Sequence, residues 1–312
     1  MAFVTCSLQF KSGEDSSGKA GGNAVLCTPD KTFQIRQKNS SNTVYILGPD
    51  SSNTAPDGSF TETGLIAISK PESTLETTPA GQSTAASYIR QLLPILASTG
   101  QTTATRHPLT KEQLLANIPF SDAECESAFR ELSAFANSTN GHCMVPSAQL
   151  KIQTWLSILE NARANGTDLT SELNENAILG LKDGLEDLEP GLFDAVLQAF
   201  TSISDGRTSL NPDRLVRWVG LNRLESDAPK TPISASSFKA AWKDALPENL
   251  RERVDFALIA DRHQLSAGGK SIAFKDYALD LVPGADVPGV SESKSALGTK
   301  RKWHEKFKPT KK

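Results

Sequence analysis

At 312 residues the chain exceeds a typical single domain of about 100–150, so several cooperating modules are expected. Hydrophobic residues at 38% and 21 glycines exclude wholesale disorder and leave room for long polar connectors. A net charge of −3, no run near 18 consecutive apolar residues, and a start without charged and apolar signal regions predict a chain that neither spans a membrane nor is secreted.

Residues 24–47 read as antiparallel strands: the run Ala24–Cys27, a turn at Pro29–Lys31, the alternation Phe33/Ile35, then Val44–Leu47. Two or three strands bury too little to be stable alone, so this module needs further strands from elsewhere in the chain or from a partner. Residues 48–86, rich in Ser, Thr, Gly and Pro around an apolar island at Leu65–Ile68, read as a loosely structured connector.

The period becomes helical from Ser87. Tyr88, Ile89, Leu92, Leu93 and Leu96 predict a helix disturbed at Pro94, and Thr110 with Gln113 and Ser121 with Glu124 are capping boxes opening two more. Cys125, Ala128, Phe129, Leu132 and Ala136 form one apolar stripe, followed by a polar turn and the run Cys143–Val145. Three helices, a turn and a strand make a unit of winged-helix type.

The pattern recurs twice. A helix through Trp155, two more around Ile178 and Val196, and a hairpin turn at Ser204–Arg207 form the second copy. The third has helices opened by Pro212 and by Ser237, a helix from Leu250 to Ile259, and a wing in which Ser266–Gly269 separates Ala257–Ala260 from Ser271–Phe274. The expected fold class is therefore α+β: a small N-terminal antiparallel β module (1–70), a linker (71–86), tandem winged-helix domains (87–147, 148–210 and 211–285) and a basic tail (286–312).

Charge is uneven. Residues 1–229 carry 17 Lys+Arg against 26 Asp+Glu, whereas residues 230–312 carry 16 against 10, so the C-terminal quarter is the basic part. A field of that sign attracts phosphate backbones and acidic protein faces, while the acidic stretch Asp168–Glu189 repels them. Because a winged helix presents its third helix and wing to nucleic acid, the candidate DNA contacts are Lys239, Lys243, Arg251, Arg253, Arg262, Lys270 and Lys275, with Lys300, Arg301 and Lys302 in the tail. Trp303 and Phe307 interleave with tail cations, which suits sequence-independent contact; a nuclear-localisation cluster and a docking tail are the rival readings there.

Catalytic chemistry finds little support. Gly13–Lys19 has phosphate-loop spacing, but Ala20 stands where a magnesium-binding hydroxyl belongs, and Glu14 and Asp15 would repel phosphate. Cys125, His142 and Cys143 supply three zinc-type ligands at a spacing that fits no common finger. Asp261, Arg262 and His263 are accompanied by no nucleophile motif and read as capping and ion-pairing residues. No catalytic residue, metal or cofactor is predicted, and the four scattered cysteines fit reduced thiols in a cytosolic or nuclear compartment.

Three blocks carry a family resemblance. Ala24–Phe33 with Asn42 and Val44–Leu47, then Phe238–Trp242 with Leu246–Glu248 and Ala257–His263, and finally Lys300–Trp303 resemble, in order, the Dcc-type sister-chromatid-cohesion family. That resemblance implies a non-ATPase accessory subunit of the alternative, Ctf-type clamp loader, located in the nucleus. Its β module would complete a composite barrel with the Ctf large subunit and the small Ctf-eight-type subunit through Val25, Leu26, Phe33, Ile35, Val44, Tyr45, Ile46 and Leu47. The winged helices would bind single- and double-stranded DNA and DNA polymerase epsilon, linking the complex indirectly to the sliding clamp PCNA. The alternative is a stand-alone winged-helix regulator, for which Leu250–Asp255, with acids among its bases, is a poor base reader.

Overall fold

The computed structural model of the chain describes residues 7–12, 24–38, 44–49, 64–79, 84–98, 101–103, 108–204, 206–228 and 231–276. The chain divides after Leu281 into two units, and all described residues lie in the first. The loop-like segment 13–19, residues 286–312 and the tail cations Lys300, Arg301 and Lys302 lie outside them.

β1 (Gln9–Lys11), β2 (Val25–Cys27) and β3 (Thr32–Lys38) pair antiparallel, and the β2–β3 turn closes where the Thr28 amide donates to the Lys31 carbonyl at 2.9 Å. β4 (Ile46–Pro49) pairs with β5 (Leu65–Ser69) in a separate two-stranded ribbon. β6 (Thr74–Pro79) returns to β3 with six residue pairs, giving the four-stranded order β1-β2-β3-β6. The connector expected over 48–86 is thus corrected: it holds two strands, one of them an edge of the main sheet. Its Thr, Leu and Ile content supports extended backbone, and only its polarity resembled a linker.

α1 (Ala85–Leu92) ends before Pro94, which disfavours helix in its predecessor, and the expected helix through Leu96 gives way to β7 (Ile95–Leu96). Both predicted capping boxes are formed, at the starts of α2 (Lys111–Asn117) and α3 (Asp122–Glu131). β8 (Phe135–Ala136) and β9 (Cys143–Pro146) pair antiparallel, and β7 joins β9 in parallel to complete a three-stranded sheet. Ser147 then caps α4 (Ala148–Ala164) and Asn174 caps α5 (Glu175–Leu181). α6 (Leu192–Gln198) runs into the hairpin of β10 (Thr201–Ser204) and β11 (Arg207–Leu210), as the turn chemistry predicts.

Asn211 caps α7 (Pro212–Asp227), whose Pro212 occupies the first turn, where its missing N–H costs nothing. β12 (Ile233–Ser234) precedes α8 (Ala235–Asp244). The helix expected from Leu250 to Ile259 is instead two 3₁₀ segments, Glu248–Arg253 and Phe256–Ile259. Val254 between them is extended, and the Asp255 carboxylate caps the Ala257 amide at 2.9 Å, restarting the chain on a new axis. β13 (His263–Leu265) pairs with β14 (Ser271–Phe274), so the first strand of the expected wing lies at 263–265 and not at Ala257–Ala260.

Two apolar cores result. The first gathers Ile89, Leu114, Ile118, Cys125, Phe129 and Val145 from α1–α3 and β9. The second takes in Leu96, Phe135 and Met144 from β7–β9 and continues from Leu150 to Ile272. Within it Phe200 stands edge-on to Trp155 at 5.1 Å and to Trp218 at 5.4 Å, and the Trp155 indole donates to the Ala245 carbonyl at 2.8 Å. Residues 148–210 and 211–276 therefore share one core across the boundary read at 210/211. The cores are tied by Arg90 of α1 with Glu225 of α7 at 2.6 Å, and by the Trp218 indole donating to Ser133 at 3.1 Å.

Candidate assembly interface

Among the described residues from 7 to 79, Val25 and Cys27 are the only buried apolar side chains, and neither belongs to either core. Apart from the half-buried Leu26, Phe33 and Ile35, most of the other large apolar residues there face outward. Phe10, Leu65 and Ile68 are 67–69% exposed, and Leu8, Val44, Tyr45, Ile46, Leu47, Ile66 and Leu75 are about half exposed. On β5, Leu65 points to one face of the ribbon and Ile66 and Ile68 take alternate positions, so both faces carry aliphatic side chains. A two-stranded ribbon with two apolar faces, whose outer edges meet no further strand among the described residues, is marginal in water and is a template for strand pairing.

The main sheet is nevertheless fixed to the helical body. Lys11 Nζ donates to the Phe120 carbonyl at 2.9 Å and to Asp122 at 2.7 Å. Thr32 donates its hydroxyl to Glu124 at 2.5 Å and accepts from the Ser121 amide at 2.7 Å, and the Ala123 amide reaches the Pro29 carbonyl at 3.2 Å. The β2–β3 turn thus abuts the start of α3, whose capping box it shares. The sheet is held by polar contacts at one end while its apolar surface stays open.

Of the eight residues read as partner contacts, Val44, Tyr45, Ile46 and Leu47 are exposed together on and beside β4. Leu26, Phe33 and Ile35 are half-buried, and Val25 is buried. Phe10, Leu65, Ile66, Ile68 and Leu75 join the exposed surface, although the sequence reading held Leu65–Ile68 as an island in a connector and named none of the five as a partner contact. The continuous apolar run Leu65–Ile68 was the available signal, read only as an island in a connector because of its Ser/Thr/Gly-rich surroundings.

The cations read as DNA contacts are dispersed in their circumstances. Lys239 lies over the Phe256 ring at 5.8 Å and Lys270 is exposed in the β13–β14 turn. Lys243 pairs with Glu252 at 3.3 Å and Arg253 with Asp213 at 2.9 Å. Arg251 donates to the Leu246 carbonyl and lines a groove of about 660 Å³ together with Arg163, Asp168 and Glu248. Lys275 is half-buried. Arg262 is corrected: at 4% exposure, with Thr84 as a hydrogen-bond partner at 3.4 Å, it has no surface to offer a phosphate.

No group of three or more His, Cys, Asp or Glu among the described residues could hold a metal ion. Burial pushes the Cys125 thiol up to about 12 and that of Cys143 up to about 11, so both stay protonated and inert near neutrality. Burial would also raise the Asp261 carboxyl, but the hydrogen bond and charge of Arg217, at 2.8 and 2.9 Å, hold it below the usual carboxylate range. Asp261 thus acts as an ion-pairing residue, and His263 bonds the Ile259 carbonyl at 2.8 Å. No helix among the described residues is long and apolar enough to cross a membrane.

Paired strands that leave large apolar side chains exposed, latched to a helical body, have the character of a surface that assembles with another chain. The model of the family described as sister chromatid cohesion protein Dcc1 matches residues 4–274, and the chain belongs to that family. It is accordingly an accessory protein of sister chromatid cohesion. A search of the curated proteins returned no match.

Proposed function

We propose that this chain is a non-catalytic subunit of the alternative, Ctf-type clamp loader, acting in the nucleus in replication-coupled cohesion. The observation that carries this reading is the β module, whose large aliphatic and aromatic side chains are exposed on strands with free edges. Such a surface is completed by strands from another chain, which here would be the Ctf large subunit and the small Ctf-eight-type subunit. Together they would close a composite barrel and remove the exposed edges.

The body supports the rest of the reading. The sheets β7-β9-β8 and β12-β14-β13 and the hairpin β10–β11 each follow or enclose helices in the manner of winged-helix units. Lys239 and Lys270 are exposed cations that would meet a DNA backbone, and their small number suits a weak, salt-dependent affinity that tethering multiplies. DNA polymerase epsilon would be held by the same body, and PCNA would be reached only through the complex.

The test is co-expression of the full chain with the two subunits, followed by chromatography with mass determination. A stoichiometric ternary complex is expected, and it is expected to disappear when Leu65 and Ile66 are both changed to Asp. A chain that elutes without either partner while remaining folded overturns the reading.

A further inference from the structure

Between α3 and α7, away from the β module, lies a cleft of about 180 Å³. Arg130, Arg214 and Arg217 line it, with Glu131 as the one carboxylate and Ser127 as a hydroxyl. Trp218 and Leu221 give it an apolar base. Arg217 is a fixed wall: its fork grips both oxygens of Asp261, and Glu131 stands 3.7 Å away. The other two arginines are exposed. Arg130 uses only Nε, on the Glu126 carbonyl one turn earlier, and the Arg214 guanidinium has no hydrogen bond or ion pair among the described residues.

We propose that this cleft binds a phosphorylated side chain of a protein partner. A phosphate monoester carries nearly two charges at pH 7 and three acceptor oxygens, which planar guanidiniums match two bonds at a time. Two exposed arginines beside one anchored arginine supply that geometry, and the Ser127 hydroxyl adds a neutral donor. The size and apolar base favour a single group on a peptide over a nucleic-acid backbone. A polyanion would meet Glu131 in the cleft, Asp261 on Arg217, and Glu126 and Asp213, the chain neighbours of Ser127 and Arg214. A peptide presents its phosphate to the arginines, lays an adjacent apolar side chain near Leu221, and continues without further negative charge.

The experiment uses the full chain and a degenerate phosphoserine/phosphothreonine peptide pool with its unphosphorylated counterpart, read by fluorescence anisotropy. Binding that needs the phosphate is expected, weakened at least tenfold by Arg214→Ala and by Arg130→Ala and not restored by Arg214→Lys, whose ammonium cannot bond bidentately. It should also weaken as pH falls through about 6, where the phosphate gains its proton. Arg207→Ala, in the β10–β11 hairpin where it pairs with Glu172 and does not line the cleft, serves as the control and should leave peptide binding unchanged. Equal binding of both pools, or unaltered binding by the arginine variants, overturns the proposal. So does competition by inorganic phosphate as tight as the peptide itself, which would make this a free-anion site. If a single-stranded oligonucleotide displaces the pool and loses affinity in the same variants, the cleft is a backbone-phosphate site and the peptide reading fails.

Discussion

The Trp242 indole lies directly on the backbone of Gly220: a Cβ added at 220 would overlap Cζ2 and Cε2 and stand 2.9 Å from Cη2. The indole cannot retreat, because it is wholly buried and its Nε1 donates to the Val216 carbonyl at 2.8 Å, one turn earlier on α7. Only a glycine lets α8 approach α7 this closely.

Gly220→Ala should therefore destabilise the fold despite the better helix propensity of alanine. That propensity is worth about 1 kcal/mol, whereas forcing a rigid, hydrogen-bonded ring aside costs about 1–3 kcal/mol or more. Thermal unfolding should fall by several degrees, with a net loss of about 2 kcal/mol. A variant as stable as the parent would mean that α8 has room to shift.

Lys151 offers a pH test. It sits in α4 at 2% exposure, near Arg90, Glu225 and Glu131, and burial pushes its ammonium down to about 8; Glu225 and Glu131 oppose that shift and Arg90 adds to it. The unfolded value is near 10.4, so between about pH 8 and 10.4 the unfolded chain binds the proton and the folded chain does not. Stability from this group must then rise with pH across that window, by up to about 3 kcal/mol, and is lowest below pH 8. Lys151→Met should be more stable than the parent at pH 7, and the difference should vanish towards pH 10. Subtracting the two stability–pH curves isolates the lysine from the cysteines, which act in the opposite sense. A constant difference would show that the ammonium stays charged in the core.

These two sites show what the sequence could and could not disclose. Capping boxes at Thr110 and Ser121, the Pro212 start and the Ser204–Arg207 turn are local interactions within a few residues, so they were readable, and each formed as expected. The failures are nonlocal. β6 is a strand because β3 lies beside it, and the predicted helix over 250–259 is divided because Asp255 recaps a chain whose Val254 had already turned extended. Arg262 carries a surface-type charge, but its place between Ile259 and Lys275, whose backbone it bonds, draws it into the interior. The partner surface was half legible: Val44–Leu47 declared itself by β-branched and aromatic content, while Leu65–Ile68 did not.

The exposed ribbon should make the isolated chain self-associate. Leu65 and Ile66 touch neither core, so changing both to Asp should leave thermal unfolding within about 0.5 kcal/mol of the parent per site. Light scattering should report oligomers for the parent at tens of micromolar and a monomer for the double variant. If the variant loses its fold, the ribbon packs on the body and is not open for docking.

Thiol reactivity checks the interior directly. Cys27, Cys125 and Cys143 are free and buried, and burial raises all three thiols, although the hydrogen bond between Cys27 and Thr32 partly counters it at Cys27. In a Cys6→Ser background at pH 8, a thiol-reactive dye should label none of the three in native protein and all three in denaturant. Cys27 should react first as denaturant rises, because a few polar contacts, made by Lys11, Pro29 and Thr32, fasten its sheet to the start of α3. Simultaneous labelling of all three would mean that the β module unfolds with the body.

The basic residues differ in what their removal should do to DNA affinity. Lys239 and Lys270 are available to phosphates, whereas Lys243 and Arg253 already meet Glu252 and Asp213. Each phosphate contact contributes about −0.9 to the slope of log affinity against log salt. Lys239→Ala and Lys270→Ala should therefore each flatten the slope by about 1 on duplex DNA. Arg253→Ala removes a cation and also releases Asp213 beside the path of the DNA, so affinity should fall through repulsion while the slope stays nearly constant. Titrations at three salt concentrations separate the two behaviours. A slope unchanged in Lys239→Ala and Lys270→Ala would move the DNA contact off the face formed by α8 and the β13–β14 turn.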